Sequence, residues 1–438
     1  MHLYVLIFLT ASAFSLISAQ EKNPKDSGSS AKVVRMKLQD AEEKFLKNNL
    51  QLLAQKFQID GSRARILQAR LYANPNIFIE QNIFNDKTER YFDFTRNGQT
   101  VVQIQQLFLL GGKIDKRIKV AEINTRISEE QFFDVLRALT YELRSSFIAL
   151  YYLREATQFY DRSIEALRKT VENTEKAHKS RAILLAEVLR LKALLFFLEN
   201  ERTEIMVQVR EKEASLRVLM NDATMIGKDI YPMINPKSLE EIDPENLSYN
   251  SFLETAMENR PDLKASIQGV KYEEANLALQ KANAIPDLSF GPVYNRAGTY
   301  IPNYFGFTAQ LNVPIFDRNQ GNIEAAEKAI LERRSHLENQ RLQIQNEVAI
   351  DYNRAVEKNR IFQNFKGKFS EEYRDLALLM ISNYQKRYLT IIEFADFFET
   401  YRTSIINLLK LQTERAAAIE RLNYTAGKNI IIIQPGAE

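Results

Sequence analysis

From Lys113 to Ile226 the chain contains neither a glycine nor a proline. The stretch is dense in Ala, Leu, Glu, Lys, Arg and Gln, and its apolar residues recur at spacings of three and four, as in Leu136, Leu139, Leu143 and Phe147. That combination specifies amphipathic helix. Helices of globular domains rarely exceed about 25 residues, so a longer one must lie against partners along its length, as in a coiled coil. As one helix, Lys113 to His178 would extend roughly 100 Å at ~1.5 Å per residue, beyond the width of a compact domain. A second such stretch runs from Ile315 to Gln434, with no proline and with glycine only at 321, 367 and 427. Leu376, Leu379, Ile381 and Tyr384 mark its apolar face.

With only 14 Gly and 11 Pro in 438 residues, the places where breakers do fall outline the architecture. Two regions stand apart from the helices. Residues 75–112 read PNIFIEQNIF, a polar loop NDKTERYFDFTRNG, then QTVVQIQQLFLLGG; residues 286–318 read PDLSFGPVYN, the loop RAGTYIP, then NYFGFTAQLNVPIFDR. Alternation puts Phe305, Phe307, Ala309, Leu311, Val313 and Ile315 on one face of a strand, with Gly306, Thr308, Gln310 and Asn312 on the other. Each region reads as a β-hairpin of roughly ten-residue strands, the length that crosses an outer membrane. A half-buried hairpin of a soluble sheet is the alternative. Three features favour the membrane: an N-terminal export signal, the absence of cysteine, and the helices on either side.

That signal is the apolar run Leu3 to Ile17, followed by Ser18-Ala19-Gln20. It predicts a secretory signal peptide over 1–19, cleaved after Ala19, and then a flexible leader over 20–34. No later run of ~18 apolar residues could form a transmembrane helix. Zero Cys removes disulfides, thiolate metal sites, cysteine nucleophiles and a lipidated N-terminal cysteine. The 59 Lys+Arg against 56 Asp+Glu make a balanced surface with no support for a nucleic-acid partner.

The two halves are a duplication. Lys47-Asn48-Asn49-Leu50-Gln51-Leu52 matches Glu258-Asn259-Arg260-Pro261-Asp262-Leu263, and the same offset of 211 brings Ala73-Asn74-Pro75 onto Ala284-Ile285-Pro286. The hairpins exit alike, through Leu107-Phe108 then Gly111-Gly112-Lys113-Ile114, and through Ile315-Phe316 then Gly321-Asn322-Ile323. Helical hairpins follow, turning near 178–183 and 384–390. The expected organisation is a first repeat over 35–222, a linker over 223–248, a second repeat over 249–427 and a tail over 428–438. Such units complete a shared core side by side. A hairpin cannot close alone, and an open sheet edge is not tolerated in lipid. Four strands fall short of the minimum of about eight for a membrane barrel, so the chain should pool strands with other copies.

At this point the sequence resembles the TolC family of outer-membrane efflux channels, over essentially the whole chain after the signal. The openings KNNLQLLAQ and ENRPDLKAS, the two Pro-led hairpins, and the exits QLFLLGGKI and VPIFDRNQGNIEAAE carry the resemblance. Phe316-Asp317-Arg318-Asn319-Gln320-Gly321 looks like the subgroup serving cobalt–zinc–cadmium efflux. The resemblance implies a mainly α fold with a membrane β-barrel portion, in which duplicated α-helical hairpins and β-hairpins form a trimeric α/β barrel channel-tunnel. It implies a homotrimer whose twelve-stranded barrel sits in outer-membrane lipid and whose helices lie in the periplasm. Its partners would be a periplasmic adaptor and an inner-membrane pump of the resistance–nodulation–division (RND) class. The cargo would be heavy-metal cations. The closest alternative is a channel for drug efflux or type I protein secretion. One of another class is a periplasmic coiled-coil adaptor or structural rod, which would have no use for two matching hairpins.

In this family the channel closes at the helical turns, where the second half carries two acidic residues one turn apart. Thr390-Ile391-Ile392-Glu393-Phe394-Ala395-Asp396 matches that motif, with Glu393 and Asp396 in the acidic positions; i, i+3 spacing puts both on one face. Three copies would gather six carboxylates, favouring cations and raising some of their pKa values. Two solvated acids on a helix face are the plainer alternative. The chain departs from the family where a Gly usually opens the turn: Arg387, followed by Tyr388, stands there, and Ser180-Arg181 likewise lacks Gly in the first half, where Glu187 is the nearest acid. These turns are the expected adaptor contacts.

No cofactor, resident metal or enzymatic centre is expected. His178 and His336 sit among charged helical residues and read as solvent-facing; Met206, Met220, Met225 and Met233 read as core filling. No glycine-rich phosphate loop follows a strand. Tyr91, Phe92, Phe94, Tyr300, Tyr304 and Phe305 flank the hairpin loops and suit an interfacial aromatic girdle.

Overall fold

A computed structural model describes residues 33–297, 301–365 and 371–431. The expected signal peptide, most of the leader, Tyr300 and the end of the tail lie outside the described residues. The first half runs β1 (Val33–Lys37), α1 (Leu38–Asn48), α2 (Leu50–Arg70), β2 (Asn76–Gln81), β3 (Phe84–Asn85), β4 (Arg90–Tyr91), β5 (Thr100–Phe108), α3 (Lys113–Lys179) and α4 (Leu185–Met220). Between the halves lie β6 (Asp229–Met233) and α5 (Pro236–Glu240). The second half runs α6 (Tyr249–Asn259), α7 (Pro261–Asn283), β7 (Leu288–Ala297), β8 (Pro302–Leu311), α8 (Gln320–Phe365), α9 (Glu371–Gln385) and α10 (Ile391–Ala426).

The stretch without breakers is helix from Lys113 to Lys179, 67 residues without interruption. Its length is about 100 Å at ~1.5 Å per residue. The duplication is visible in backbone angles. Asn49 breaks α1 from α2 at φ −62°, ψ 120°, and Arg260 breaks α6 from α7 at φ −62°, ψ 121°. Each break seats the end of the returning helix of its own half. Asn49 Oδ1 accepts from the Leu52 N–H at 2.9 Å while its Nδ2 donates to the Leu219 carbonyl at 2.8 Å. In the other half Gly427, at φ +71°, lies so close to Arg260 that a Cβ would stand 2.9 Å from the Arg260 Cα. Only glycine fits there. α4 and α10, 36 residues each, end at these two points.

Three of the four apolar clusters among the described residues run along the helices. One joins α1, α3, α4 and β6 through Phe45, Leu143, Phe147, Leu216 and Ile230. A second joins α6, α8 and α10 through Phe252, Ile344, Val348, Ile419 and Leu422. The third, toward the helical turns, is aromatic: Tyr160, Phe394, Phe398 and Tyr401 pack with Leu167, Leu191 and Leu198 across both helical hairpins.

Three expectations are adjusted. The leader ends earlier than residue 34, because Val33 and Val34 belong to β1, which pairs in parallel with β6. The stretch 223–248 is therefore more than a linker: Ile230 is fully buried, and Glu213 beneath it accepts from the Ile230 N–H at 2.9 Å and from Arg210 and Arg217 at 2.9 and 3.1 Å. Finally, β8 ends at Leu311, so Val313 and Ile315 lie past the strand. There the backbone turns toward α8, with the Asn319 N–H bonded to Asp317 Oδ1 at 2.9 Å and Asn319 Nδ2 to the Gln280 carbonyl at 2.8 Å.

Candidate channel wall and helical tip

The two hairpins join into one antiparallel sheet of order β2-β5-β7-β8. Facing partners in a sheet share a side, so the register defines two surfaces. On one lie Ile77 and Ile79 of β2, Val102 and Ile104 of β5, Phe290 and Tyr294 of β7, and Phe305 and Phe307 of β8. This surface is bare: Ile77, Ile79, Ile104, Phe305 and Phe307 are all exposed, Phe307 by 69%. The other surface is mixed: Gln103, Gln105, Thr308 and Gln310 lie on it with Gly291 and Gly306, but so do Phe78, Val293 and Tyr304. Gln103 Nε2 donates to Thr308 Oγ1 at 3.0 Å, and that hydroxyl donates to the Gly291 carbonyl at 3.1 Å. Gly291 is required by this closeness, since a Cβ would fall 1.9 Å from the Ile104 carbonyl oxygen. β2 and β8 are left as unpaired edges. Among the described residues, no helix is long and apolar enough to cross a membrane.

At the opposite end of the molecule the helical hairpins turn through matching motifs. Arg181 and Arg387 adopt left-handed φ of 61° and 62°. The next residue donates back five positions in each case, Ala182 N–H to the Ala177 carbonyl at 2.9 Å and Tyr388 N–H to the Asn383 carbonyl at 2.9 Å. This is the Schellman ending, whose left-handed position favours glycine. Arginine stands at both. His178 is half-buried rather than solvent-facing, its Nδ1–H donating to the Ile183 carbonyl at 2.8 Å. His336 is exposed, 3.6 Å from Glu332.

A cleft of about 540 Å³ lies between the turns, lined by Thr170, Glu187, Tyr384, Arg387, Tyr388 and Glu393 among others. Glu187 is half-buried, with the Tyr384 hydroxyl donating to it over a long 3.5 Å. Burial, and then the Glu187 carboxylate, push the Tyr384 phenol up. Gln385 Nε2 ties the same turn to Thr170 Oγ1 at 3.0 Å. Glu393 is engaged locally. Its Oε2 accepts from the Thr390 N–H at 2.9 Å and hydroxyl at 2.8 Å, while the Glu393 N–H donates to Thr390 Oγ1 at 3.3 Å. This capping box opens α10, and within one protomer those bonds hold the Glu393 carboxyl below its ordinary range. Asp396 is exposed one turn further on, outside the cleft lining; Ser180 and Arg181 are exposed and outside it too. Thus Glu187, Glu393, Arg387 and Tyr388 converge, and three of the seven singled-out residues do not. The T-x-x-E spacing from Thr390 was a readable sign of the cap.

Farther from the turns, Tyr160 OH donates to Glu201 Oε2 at 2.8 Å, Arg402 pairs with the same carboxylate, and the Arg402 guanidinium stacks 4.7 Å over the Phe197 ring. Glu201 so connects α3, α4 and α10. Nothing in the sequence pattern singled it out. Among the described residues there is no group of three His, Asp or Glu arranged to hold a metal ion.

Residues 252–425 match the family model described as "Outer membrane efflux protein". The second half of the chain is therefore similar to the outer membrane efflux proteins. The cobalt-zinc-cadmium resistance protein CzcC of Cupriavidus metallidurans is 22% identical over 279 residues, covering 64% of this chain. The match spans 63% of that relative's length, somewhat under two thirds. Among solved structures, the CmeC outer membrane channel of Campylobacter jejuni superposes with a TM-score of 0.74 at 12% identity, over 89% of this chain and 85% of that one. The open state of the MtrE outer membrane channel of Neisseria gonorrhoeae gives 0.69 at 15% identity, over 90% and 89%. Each likeness covers far more of the chain than the family match does, so the fold of these outer membrane channels spans both halves.

Proposed function

We propose that three copies of this chain form a passive duct in the outer membrane, continued through the periplasm by the helices. The observation that carries this reading is the sheet: one bare apolar face, a second face that holds its glutamines, Thr308 and two glycines, and a free edge on each side. Strand direction alternates from β2 to β8, so β8 of one copy can receive β2 of the next without breaking the antiparallel order. Three copies then supply twelve strands, above the minimum of about eight for a closed membrane barrel. Closure satisfies the two edges that lipid would otherwise leave unpaired.

The duct works in series with an inner-membrane RND pump and a periplasmic adaptor that meets the turns around Ser180, Arg181, Arg387 and Tyr388. Its cargo is heavy-metal cations. Support comes from the likeness to a cobalt-zinc-cadmium resistance protein and from the Phe316-to-Gly321 exit. Threefold symmetry brings Glu393 and Asp396, with Glu187 beside them, around one constriction, where clustered carboxylates favour cations.

Two measurements test this. A deletion strain should lose zinc, cobalt and cadmium tolerance while keeping its drug tolerance, and the protein should fractionate with the outer membrane. Unchanged metal tolerance would sink the cargo; recovery only in soluble periplasm would sink the duct. In planar bilayers, Glu393→Gln with Asp396→Asn should weaken cation preference and alter conductance. Identical single-channel records would show that these acids do not line the constriction.

A further inference from the structure

The duplication produces two hairpins that differ at their far ends. Residues 298–301 join β7 to β8, whereas residues 82–99 join β2 to β5 and carry β3 and β4. The longer connection is built around Asp93, which is 2% exposed. Its carboxylate accepts from the hydroxyls of Thr88 and Thr95, each at 2.6 Å, from the Thr95 N–H at 2.9 Å and from Asn85 Nδ2 at 3.0 Å. Those bonds, led by the Thr88 hydroxyl, hold the Asp93 carboxyl far below its usual range. Beside it Phe92 keeps φ at +49°, a left-handed value that is costly for an aromatic residue and persists only where the surroundings enforce it. Yet Tyr91, Phe92 and Phe94 remain 73%, 54% and 70% exposed. A polar box beneath a bare aromatic surface is arranged to present that surface.

Arg296 shows which way the surface leans. It follows Phe290, Pro292 and Tyr294 at alternate positions of β7, the apolar side of the sheet, and its Nη1 donates to the Phe94 carbonyl at 2.6 Å. The connection is thereby fastened on the apolar side, at the end of the sheet away from the helices.

We propose that residues 82–99 are a built anchor that seats in the boundary between headgroups and hydrocarbon of the outer leaflet. The inference rests on the membrane reading of the sheet given above. Tyr91, Phe92 and Phe94 extend the apolar surface that ends at Phe305, and exposed Lys87, Arg90 and Arg96 interleave with exposed Asp86 and Glu89, a balanced polar rim that suits zwitterionic headgroups. Aromatic rings mixed with long cationic side chains match the chemistry of that boundary. The anchor sets the depth of the barrel.

The chain has no tryptophan, so Phe94→Trp, Tyr91→Trp and Phe307→Trp each give a single indole in the full-length protein. The variants are reconstituted into phosphatidylethanolamine–phosphatidylglycerol vesicles whose acyl chains carry bromine near the headgroup or near the bilayer centre. Shallow bromine should quench Phe94→Trp and Tyr91→Trp about twofold, with little effect from deep bromine, as expected for indoles at the interface; Phe307→Trp should respond to the deep label. If Phe307→Trp is quenched while both loop indoles are untouched by either label, the sheet is in the bilayer and the anchor is wrong. Loop indoles quenched chiefly by deep bromine would also overturn it. If none of the three responds, the membrane reading fails and the anchor falls with it.

Discussion

Arg181 and Arg387 hold their backbones at φ of 61° and 62°, where the Cβ of an L residue crowds the neighbouring carbonyl. The equivalent ends of α4 and α10 use Asn221 and Gly427, residues that accept this region more readily. The cost at the arginines is therefore local and removable. Arg387→Gly should stabilise its turn by about 0.5–1 kcal/mol, after allowing for the greater freedom glycine gives the unfolded chain. Amide exchange over 383–390 should slow a few-fold in the variant. Faster exchange there would mean that the Arg387 side chain contributes more than its backbone costs. Glu393 shows a different residue-scale lesson. Its carboxylate caps α10, and because the cap lowers its pKa, the cap's contribution is present above the ordinary carboxylate range and lost as pH falls below it.

At the scale of elements, the two helical hairpins are held by a mainly aromatic cluster and by one carboxylate that reaches three helices. Glu201 accepts from Tyr160 on α3 and pairs with Arg402 on α10 from its own place on α4. Burial, and then the hydrogen bond to Glu201, raise the Tyr160 pKa, so the phenol stays a donor. Removing one partner of such a pair leaves a buried charge uncompensated. Glu201→Gln should cost about 2–4 kcal/mol in denaturant melts followed by helical circular dichroism. Adding Arg402→Met to it should recover much of that loss. Strict additivity of the two changes would show that the groups do not interact. In the sheet, the element scale is governed by the close approach of β5 to β7, which Gly291 permits.

For the whole molecule, the decisive feature is an unfinished surface. On the proposed duct, joining copies would cover the two bare edges of the four-stranded sheet. Because the natural chain has no cysteine, introduced pairs report contacts cleanly. Cysteines scanned in pairs along β2 and β8 should cross-link only between copies and stop at a trimer on non-reducing gels. Cross-linking within a single chain would show that the sheet closes in some other way.

Long helices, two hairpins and the duplication were all legible in the sequence, because each is written in local periodicity and in where breakers fall. The offset of 211 residues even located Asn49 and Arg260, whose backbone angles agree within a degree. Other features needed the fold. β1 and β6 are five residues each and nearly 200 residues apart in the chain, so neither carries a signal until the other lies beside it. The Glu201 triad depends on which faces of α3, α4 and α10 meet, and the Asp93 box depends on a loop folding back on itself. Helix, strand and repeat are properties of neighbours along the chain, which a sequence displays directly. Which buried charge finds which partner, and which aromatic surface stays uncovered, are decided by distance in space, which only the tertiary structure supplies.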